Sequence, residues 1–331
     1  MGISRQALVD ALAAVRPGLA NKEIVEQSCS FVFDGDLVCT YNDEIAVSHP
    51  VPPGIAGAVR AEELYSLLTK LPDEEIQVQV TETELLIEGK RRKTGLALQS
   101  KILVPMGVLK SEKQWKPLPK GFDDALEFCR MSVGADMTKP LLTCLHVKDD
   151  VMESCDNFRL GRWTLGEPMR DELLLPGIAA EKLRSYNVTE YAATKEWAHF
   201  RNDKQAVFSV RLFDGQYPDL TKLLAKEGFP LKLPSDLPGI LGRAEVMMEK
   251  IDGTAEVMLE KGLIHVKTRS AVGWFEESAR IQYDGGSVSF RIFPKFLREI
   301  SGKLLQVEVC PGLLKFEGGN FVHACSTMTG T

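Results

Sequence analysis

The chain has 331 residues, 44% hydrophobic and 26% charged, with a formal net charge of −6. That length predicts two or three domains, and the composition is that of a soluble globular protein. No run of about 18 apolar residues exists, which excludes a membrane-spanning helix, and a net negative chain argues against a nucleic-acid binder unless the two charge signs are segregated onto different faces.

The N-terminus MGISRQALVDALAAV mixes charges into an amphipathic pattern and lacks the uninterrupted apolar core of a signal peptide. Gly2 is not followed by the serine or threonine that myristoylation requires at position 6. Residues 4–16 read as a helix that Ser4 caps and Pro17-Gly18 stops, with Leu8, Ala11, Leu12 and Val15 on one face. A hairpin follows, then a strand at Ile45-Ala46-Val47 and a breaker run from Pro50 to Gly57. Val59 to Leu71 is a second helix, succeeded by strands at Ile76–Val80, Leu85–Glu88 and near Leu96-Ala97-Leu98. The basic run Lys90-Arg91-Arg92-Lys93 between the last two reads as a solvated turn. Residues 107–121 read as a linker.

The pattern then restarts. A helix is expected over 122–133, a hairpin after it, and a second helix from Leu173 to Tyr186 entered at Pro176. Strands near 197–201 and 206–212 lead to a second linker at 225–235. A third round has a helix capped by Asp236 and running to about Met248, a hairpin, and a strand from Glu276 to Tyr283. A helix from Ile292 to Ile300 follows, and strands at Leu304–Val309, Leu313–Phe316 and Phe321–Cys325 finish it.

The three hairpins share a layout: a short apolar strand, a three-residue turn, a second apolar strand. Their turns are Asp34-Gly35-Asp36, Lys148-Asp149-Asp150 and Glu260-Lys261-Gly262. The residues just before them, Phe33, Val147 and Leu259, are 114 and 112 apart. A helix-plus-sheet unit of this size can bury its own core. The sequence therefore predicts three α+β domains, at 1–115, 116–228 and 229–331.

No phosphate-binding glycine loop, nucleophile elbow or zinc motif is present. The five histidines are scattered singly, and no metal or cofactor is expected. Asp149-Asp150 and Asp73-Glu74-Glu75 are adjacent carboxylates at turns or strand entries, where acids are routine. Cys155-Asp156 has no nearby histidine to activate the thiol. The seven cysteines show no C-x-x-C spacing, and reduced, buried thiols of a cytoplasmic protein are expected. The six expected helices hold 11 basic and 10 acidic residues, so the helices are less acidic than the strands and loops. If they share one face, that face can carry phosphate contacts.

Three helix-strand-helix-strand rounds resemble the bacterial DNA polymerase III beta-subunit sliding clamp. Local strings add to this. Val59-Arg60-Ala61-Glu62-Glu63-Leu64 through Lys70-Leu71-Pro72-Asp73-Glu74-Glu75-Ile76 is similar to the second helix of that family's first domain and the strand after it. Thr138-Lys139-Pro140-Leu141-Leu142 is similar to its entry to the second domain's hairpin. Cys155-Asp156-Asn157-Phe158-Arg159-Leu160 stands where the family has T-D-G-H-R-L. Phe213-Asp214-Gly215-Gln216-Tyr217-Pro218-Asp219 is similar to its G-K-F-P-D turn.

The resemblance implies three clamp domains per subunit, each with two helices on an inner face and sheets on an outer face, closed as a homodimeric ring in the cytoplasm. The ring would encircle double-stranded DNA without reading its sequence, act as a processivity factor, tether a DNA polymerase, and be opened by a clamp loader. It would be no enzyme. The residues that would meet DNA are Arg16, Lys22, Arg60, Lys70, Arg130, Lys139, Lys182, Arg184, Arg243, Lys295 and Arg298. The edge strands that would pair between subunits lie near Thr94–Leu98 and Leu263–Lys267.

The family's groove for partner peptides would be lined here by Leu142, Cys155, Asn157, Phe158, Arg159 and Leu160 on one side and by Val322 and Ala324 on the other. The chain departs from the family there: cysteine, asparagine and phenylalanine replace threonine, glycine and histidine, and the tail from Ala324 to Thr331 lacks M-P-M-R-L. Such drift fits a divergent clamp, including a phage-encoded one, with its own partners. The alternatives are a clamp-like oligomeric scaffold without DNA retention, and a hydrolase or deaminase on an unrelated α+β fold.

Overall fold

The computed structural model describes residues 2–248 and 253–329. Met1, residues 249–252, and Gly330 and Thr331 of the tail lie outside them. The chain divides into two compact units. One holds Met1–Lys120 with Asp171–Asp214, the other Gly121–Arg170 with Gly215–Thr331. Residues 116–228 thus contribute to both.

The chain begins with β1 (Gly2–Ser4), α1 (Arg5–Val15), β2 (Ser30–Asp34), β3 (Leu37–Tyr41), β4 (Ile45–Pro50) and β5 (Gly57–Arg60). Then come α2 (Ala61–Lys70), β6 (Glu75–Val80), β7 (Glu84–Gly89), β8 (Arg92–Gln99), α3 (Met106–Lys110) and β9 (Lys116–Pro117). The next stretch has α4 (Phe122–Cys129), β10 (Cys144–Lys148), β11 (Val151–Cys155), β12 (Arg159–Thr164), β13 (Leu173–Pro176) and α5 (Gly177–Leu183). After β14 (Val188–Ala193), β15 (Trp197–Asn202) and β16 (Val207–Arg211) come α6 (Thr221–Leu224), β17 (Phe229–Lys232) and α7 (Leu237–Val246). The chain closes with β18 (Ala255–Glu260), β19 (Leu263–Ser270), β20 (Gly273–Arg280), β21 (Val288–Ile292), α8 (Pro294–Ser301), β22 (Gln306–Cys310), β23 (Leu313–Gly318), β24 (Phe321–Ser326) and β25 (Met328–Thr329).

In the first unit twelve strands run in the order β1-β6-β7-β8-β5-β2-β3-β4-β16-β15-β14-β9. In the second, one sheet includes β10-β11-β12-β24-β23-β22-β17 and another is β20-β19-β18-β21-β25. The fold is mixed α+β, with three sheets among the described residues. Among the described residues no helix is long and apolar enough to cross a membrane.

Local sequence explains the repeated parts. The Ser4 hydroxyl caps α1 by accepting the Ala7 N–H at 3.3 Å, and Leu8, Ala11, Leu12 and Val15 are all buried. The three hairpins recur as expected, but each turn has two residues, because Asp34 pairs with Leu37, Lys148 with Val151 and Glu260 with Leu263. Gly35, Asp149 and Gly262 supply the positive φ that such tight turns need, at +73°, +52° and +78°. Asp236 occupies the N-cap of α7, but its side chain makes no capping hydrogen bond.

Several expectations need correction. The linker at 107–121 carries α3, whose Leu109 is buried beside Val32, Tyr41 and Trp197, and β9, which pairs with β14. The linker at 225–235 carries β17, paired with β22 from Phe229–Val309 to Lys232–Gln306. Gly228 introduces it at such close range that an added Cβ would lie 2.0 Å from the Val309 carbonyl oxygen. Leu173–Pro176 is a strand rather than the start of a helix. The strand expected at Leu263–Lys267 as an open edge is interior: β19 is paired with β18 on one side and β20 on the other. The edges of that sheet are β20 and, among the described residues, β25.

All seven cysteines are free thiols, six of them buried. Burial, with the charge of Asp34 adding to it, pushes the Cys39 thiol up to about 12. The basic run closes on an acid: the Asp73 carboxylate accepts the Lys90 N–H at 3.0 Å and pairs with Arg92 at 2.9 Å.

Candidate partner cleft and nucleic-acid interface

The corner between β11 and β12 is shaped by Asp156. One carboxylate oxygen accepts the N–H groups of Phe158 and Arg159 at 2.7 and 2.6 Å, and the other accepts Arg159 Nε at 3.1 Å. An aspartate bonded to backbone two and three residues ahead favours a turn. The Arg159 guanidinium also reaches Glu299 on α8 at 2.9 Å and lies 3.9 Å from the Phe296 ring centre. Phe158 packs edge-on against Phe293 at 4.8 Å. The corner is therefore bound to α8 by one ion pair and an aromatic cluster.

Beside the corner, Lys139 Nζ donates to Asn157 Oδ1 at 2.7 Å. Lys139, Pro140, Leu141, Leu142, Gln216 and Pro218 line a mainly apolar cleft of about 370 Å³. Tyr217, between two of these residues, is buried: its hydroxyl accepts the Cys155 N–H at 2.9 Å and its ring stacks on His146 at 4.8 Å. His146 Nδ1 is 3.0 Å from Glu153, which also takes two bonds from Arg162 at 2.6 and 2.8 Å. Burial raises the Glu153 pKa, but the His146 and Arg162 hydrogen bonds outweigh it and hold the carboxyl below its ordinary range. A buried polar ladder thus fixes one wall of the cleft. Gly215 lets the other wall approach, since a Cβ there would lie 2.7 Å from Leu141 Cδ2.

Of the expected groove residues, Leu142 lines this cleft and Asn157 borders it through Lys139. Phe158 and Arg159 belong to the aromatic cluster. Cys155, Leu160 and Ala324 are buried, with Leu160 directly opposite Ala324 between β12 and β24, and half-buried Val322 opposite Arg162. Sequence reasoning missed Asp156, Tyr217, Phe293, Phe296 and Glu299. Asp156 left a local signal, as an acid beside asparagine in a turn, and Tyr217 lies within the Phe213–Asp219 turn that the sequence singles out.

The basic residues fall into different settings. Lys22, Lys70 and Lys295 are exposed, as is Arg130 in the 3-10 turn after α4. Arg16 lies over the Tyr65 ring at 4.5 Å. Arg60 pairs with Glu23 at 2.7 Å. Lys182 is half-buried and donates to the Pro17 carbonyl at 2.9 Å, and burial lowers its pKa. Arg184 is half-buried in the 3-10 turn after α5. Lys139 belongs to the cleft. Arg243 pairs with Glu277, and Arg298 with Glu245.

No protein-family model and no curated protein matches the sequence. Solved structures match it over its full length. The DnaN sliding clamp (DNA polymerase III subunit beta) of Bartonella birtlesii, bound to griselimycin, is 17% identical with a TM-score of 0.86, covering 100% of this chain and 99% of that one. The beta subunit of Streptococcus pyogenes DNA polymerase is 18% identical with a TM-score of 0.85, covering 99% of each chain. The DNA polymerase III subunit beta of Pseudomonas aeruginosa is 16% identical with a TM-score of 0.85, again covering 99% of each. From end to end, and at low identity, this chain has the fold of the DNA polymerase III beta-subunit sliding clamps.

Proposed function

We propose that the chain is a DNA polymerase processivity factor. Three clamp domains, at 1–115, 116–228 and 229–331, close with those of a second copy into a ring around duplex DNA. The ring tethers a DNA polymerase and other replication proteins in the cytoplasm, and a clamp loader opens it. It works by binding rather than catalysis, and it contacts phosphates rather than bases, because base readout would stall sliding. The observation that carries this reading is the full-length agreement of the fold with beta-subunit clamps.

Self-association has its own support. Val246, Val272 and Trp274 are all about two-thirds exposed or more. The β19–β20 tip sits beside the end of α7, since a Cβ on Gly273 would lie 3.8 Å from Met247 Sδ. Exposed apolar residues next to an open edge strand mark an interaction surface. From Arg92 to Ala97, β8 pairs with β7, and only its end reaches β5.

Primer extension on a long template tests the proposal: with cognate polymerase and loader, the protein lengthens products made in one binding event. Products of unchanged length would leave the second reading, a clamp-like scaffold without DNA retention. The carboxylate pairing of Arg243 and Arg298 is the observation that favours that alternative.

A further inference from the structure

We propose that Glu245 and Glu277 are built-in counterions that restrain Arg243 and Arg298 from DNA phosphates, making contacts at this part of the clamp weak and readily exchanged. The inference rests on the processivity-factor reading and names the residues that tune its grip.

Both pairs are two-point forks. Arg298 on α8 meets Glu245 on α7 through Nε–Oε1 and Nη2–Oε2, each 3.0 Å. Arg243 on α7 meets Glu277 on β20 through Nε–Oε2 at 2.9 Å and Nη2–Oε1 at 2.7 Å. This planar geometry is the one a guanidinium would otherwise offer to phosphate. Gly239 leaves room for the first of these arginines: a Cβ there would lie 3.3 Å from Arg243 Nη1. The Arg243 and Arg298 side chains remain 54% and 43% exposed, so a passing phosphate can reach them. In the first unit, by contrast, Arg16 rests on the Tyr65 ring and keeps its full charge for a phosphate.

An unpaired cation that neutralises a phosphate releases a condensed counterion from DNA, and each such contact steepens the salt dependence by about 0.9. A guanidinium already forked to a carboxylate exchanges one anion for another. The displaced carboxylate stays within a few ångströms and repels the phosphate. Such an arginine still disfavours bad geometry but adds little net affinity, which suits a ring that must move along DNA.

The test is binding of a short fluorescent duplex to the full chain across a salt series. Wild type is compared with Glu245→Gln, Glu277→Gln and the double variant, and with Arg16→Glu/Lys70→Glu as reference. Melting temperatures confirm folding, and the single variants stand in if the double one fails to fold. The double variant is expected to bind roughly 3- to 10-fold tighter at low salt, with a log–log salt slope steeper by about 1–2. Wild-type affinity and slope in the glutamine variants, with weakened binding in the reference variant, would overturn the counterion role. Unchanged binding in the reference variant as well would overturn the DNA reading itself.

Discussion

The Arg159 guanidinium lies 2.9 Å from the Glu299 carboxylate, joining residues 140 positions apart and tying the β11–β12 corner to α8. With the Phe296 ring 3.9 Å away and Asp156 on its other side, the arginine is held by two carboxylates and one aromatic face. Its side chain is only 11% exposed, so its removal leaves partly desolvated carboxylates behind. Arg159→Ala is expected to destabilise the protein by about 1–3 kcal/mol. In thermal unfolding that is a melting temperature lower by roughly 2–4 °C. Arg159→Lys keeps the charge but loses the bridge between the two carboxylates and the stacking, so its melting temperature falls between those of wild type and Arg159→Ala.

Two buried histidines predict how stability depends on pH. Burial, reinforced by the Lys113 charge, pushes His199 down to about 3, and burial with the Arg159 charge does the same to His323. Each stays neutral in the folded chain while its unfolded counterpart takes up a proton below about pH 6.5. The unfolded state then binds more protons, so their contribution is complete above that pH and falls steadily toward pH 3. Urea midpoints measured from pH 7 to 4 should drop, and His199→Gln or His323→Gln should flatten the drop. An unaltered slope in both variants would contradict the assignment.

What was legible in the sequence followed from local chemistry. The hairpins showed because turn residues interrupt short apolar runs, and α1 showed through Ser4 and its apolar stripe. β14 was missed because VTEYAA has a weak apolar pattern and is a strand by virtue of its neighbours β15 and β9. LLLP reads equally as helix or strand by periodicity alone, and Pro176, which suits the first turn of a helix, instead ends β13 and precedes α5. The linkers became strands because their partners, β14 and β22, lie about 75 residues away in the chain. At the candidate site, Leu142 and the 155–160 corner came from the resemblance. Tyr217, Glu299, Glu245 and Glu277 act through contacts 62, 140, 53 and 34 positions distant, which no local pattern encodes.

The cleft and the basic residues are expected to be separable. Leu142→Glu places a charge in the mainly apolar cleft but leaves the helices untouched. Retention on DNA should remain as in wild type while stimulation of the polymerase falls at least about tenfold, a loss of about 1.4 kcal/mol of binding. Full stimulation by this variant would show that the partner docks elsewhere.

The exposed tip of the β19–β20 hairpin predicts the oligomer. Light scattering should give twice the 36.7 kDa of the chain. Trp274→Glu, which charges an exposed apolar residue on an edge strand, should shift the mass to one chain at low micromolar concentration. A dimer that survives both Trp274→Glu and Val272→Glu would locate the contact at another surface.

Topological retention is the most direct test of the clamp reading. Labelled protein is loaded by its clamp loader onto nicked circular duplex and separated by gel filtration in salt high enough to screen phosphate contacts. A closed ring stays with the circle and leaves when one cut linearises the DNA. Protein lost from the circle and the linear form alike, or retained on both, would contradict encirclement.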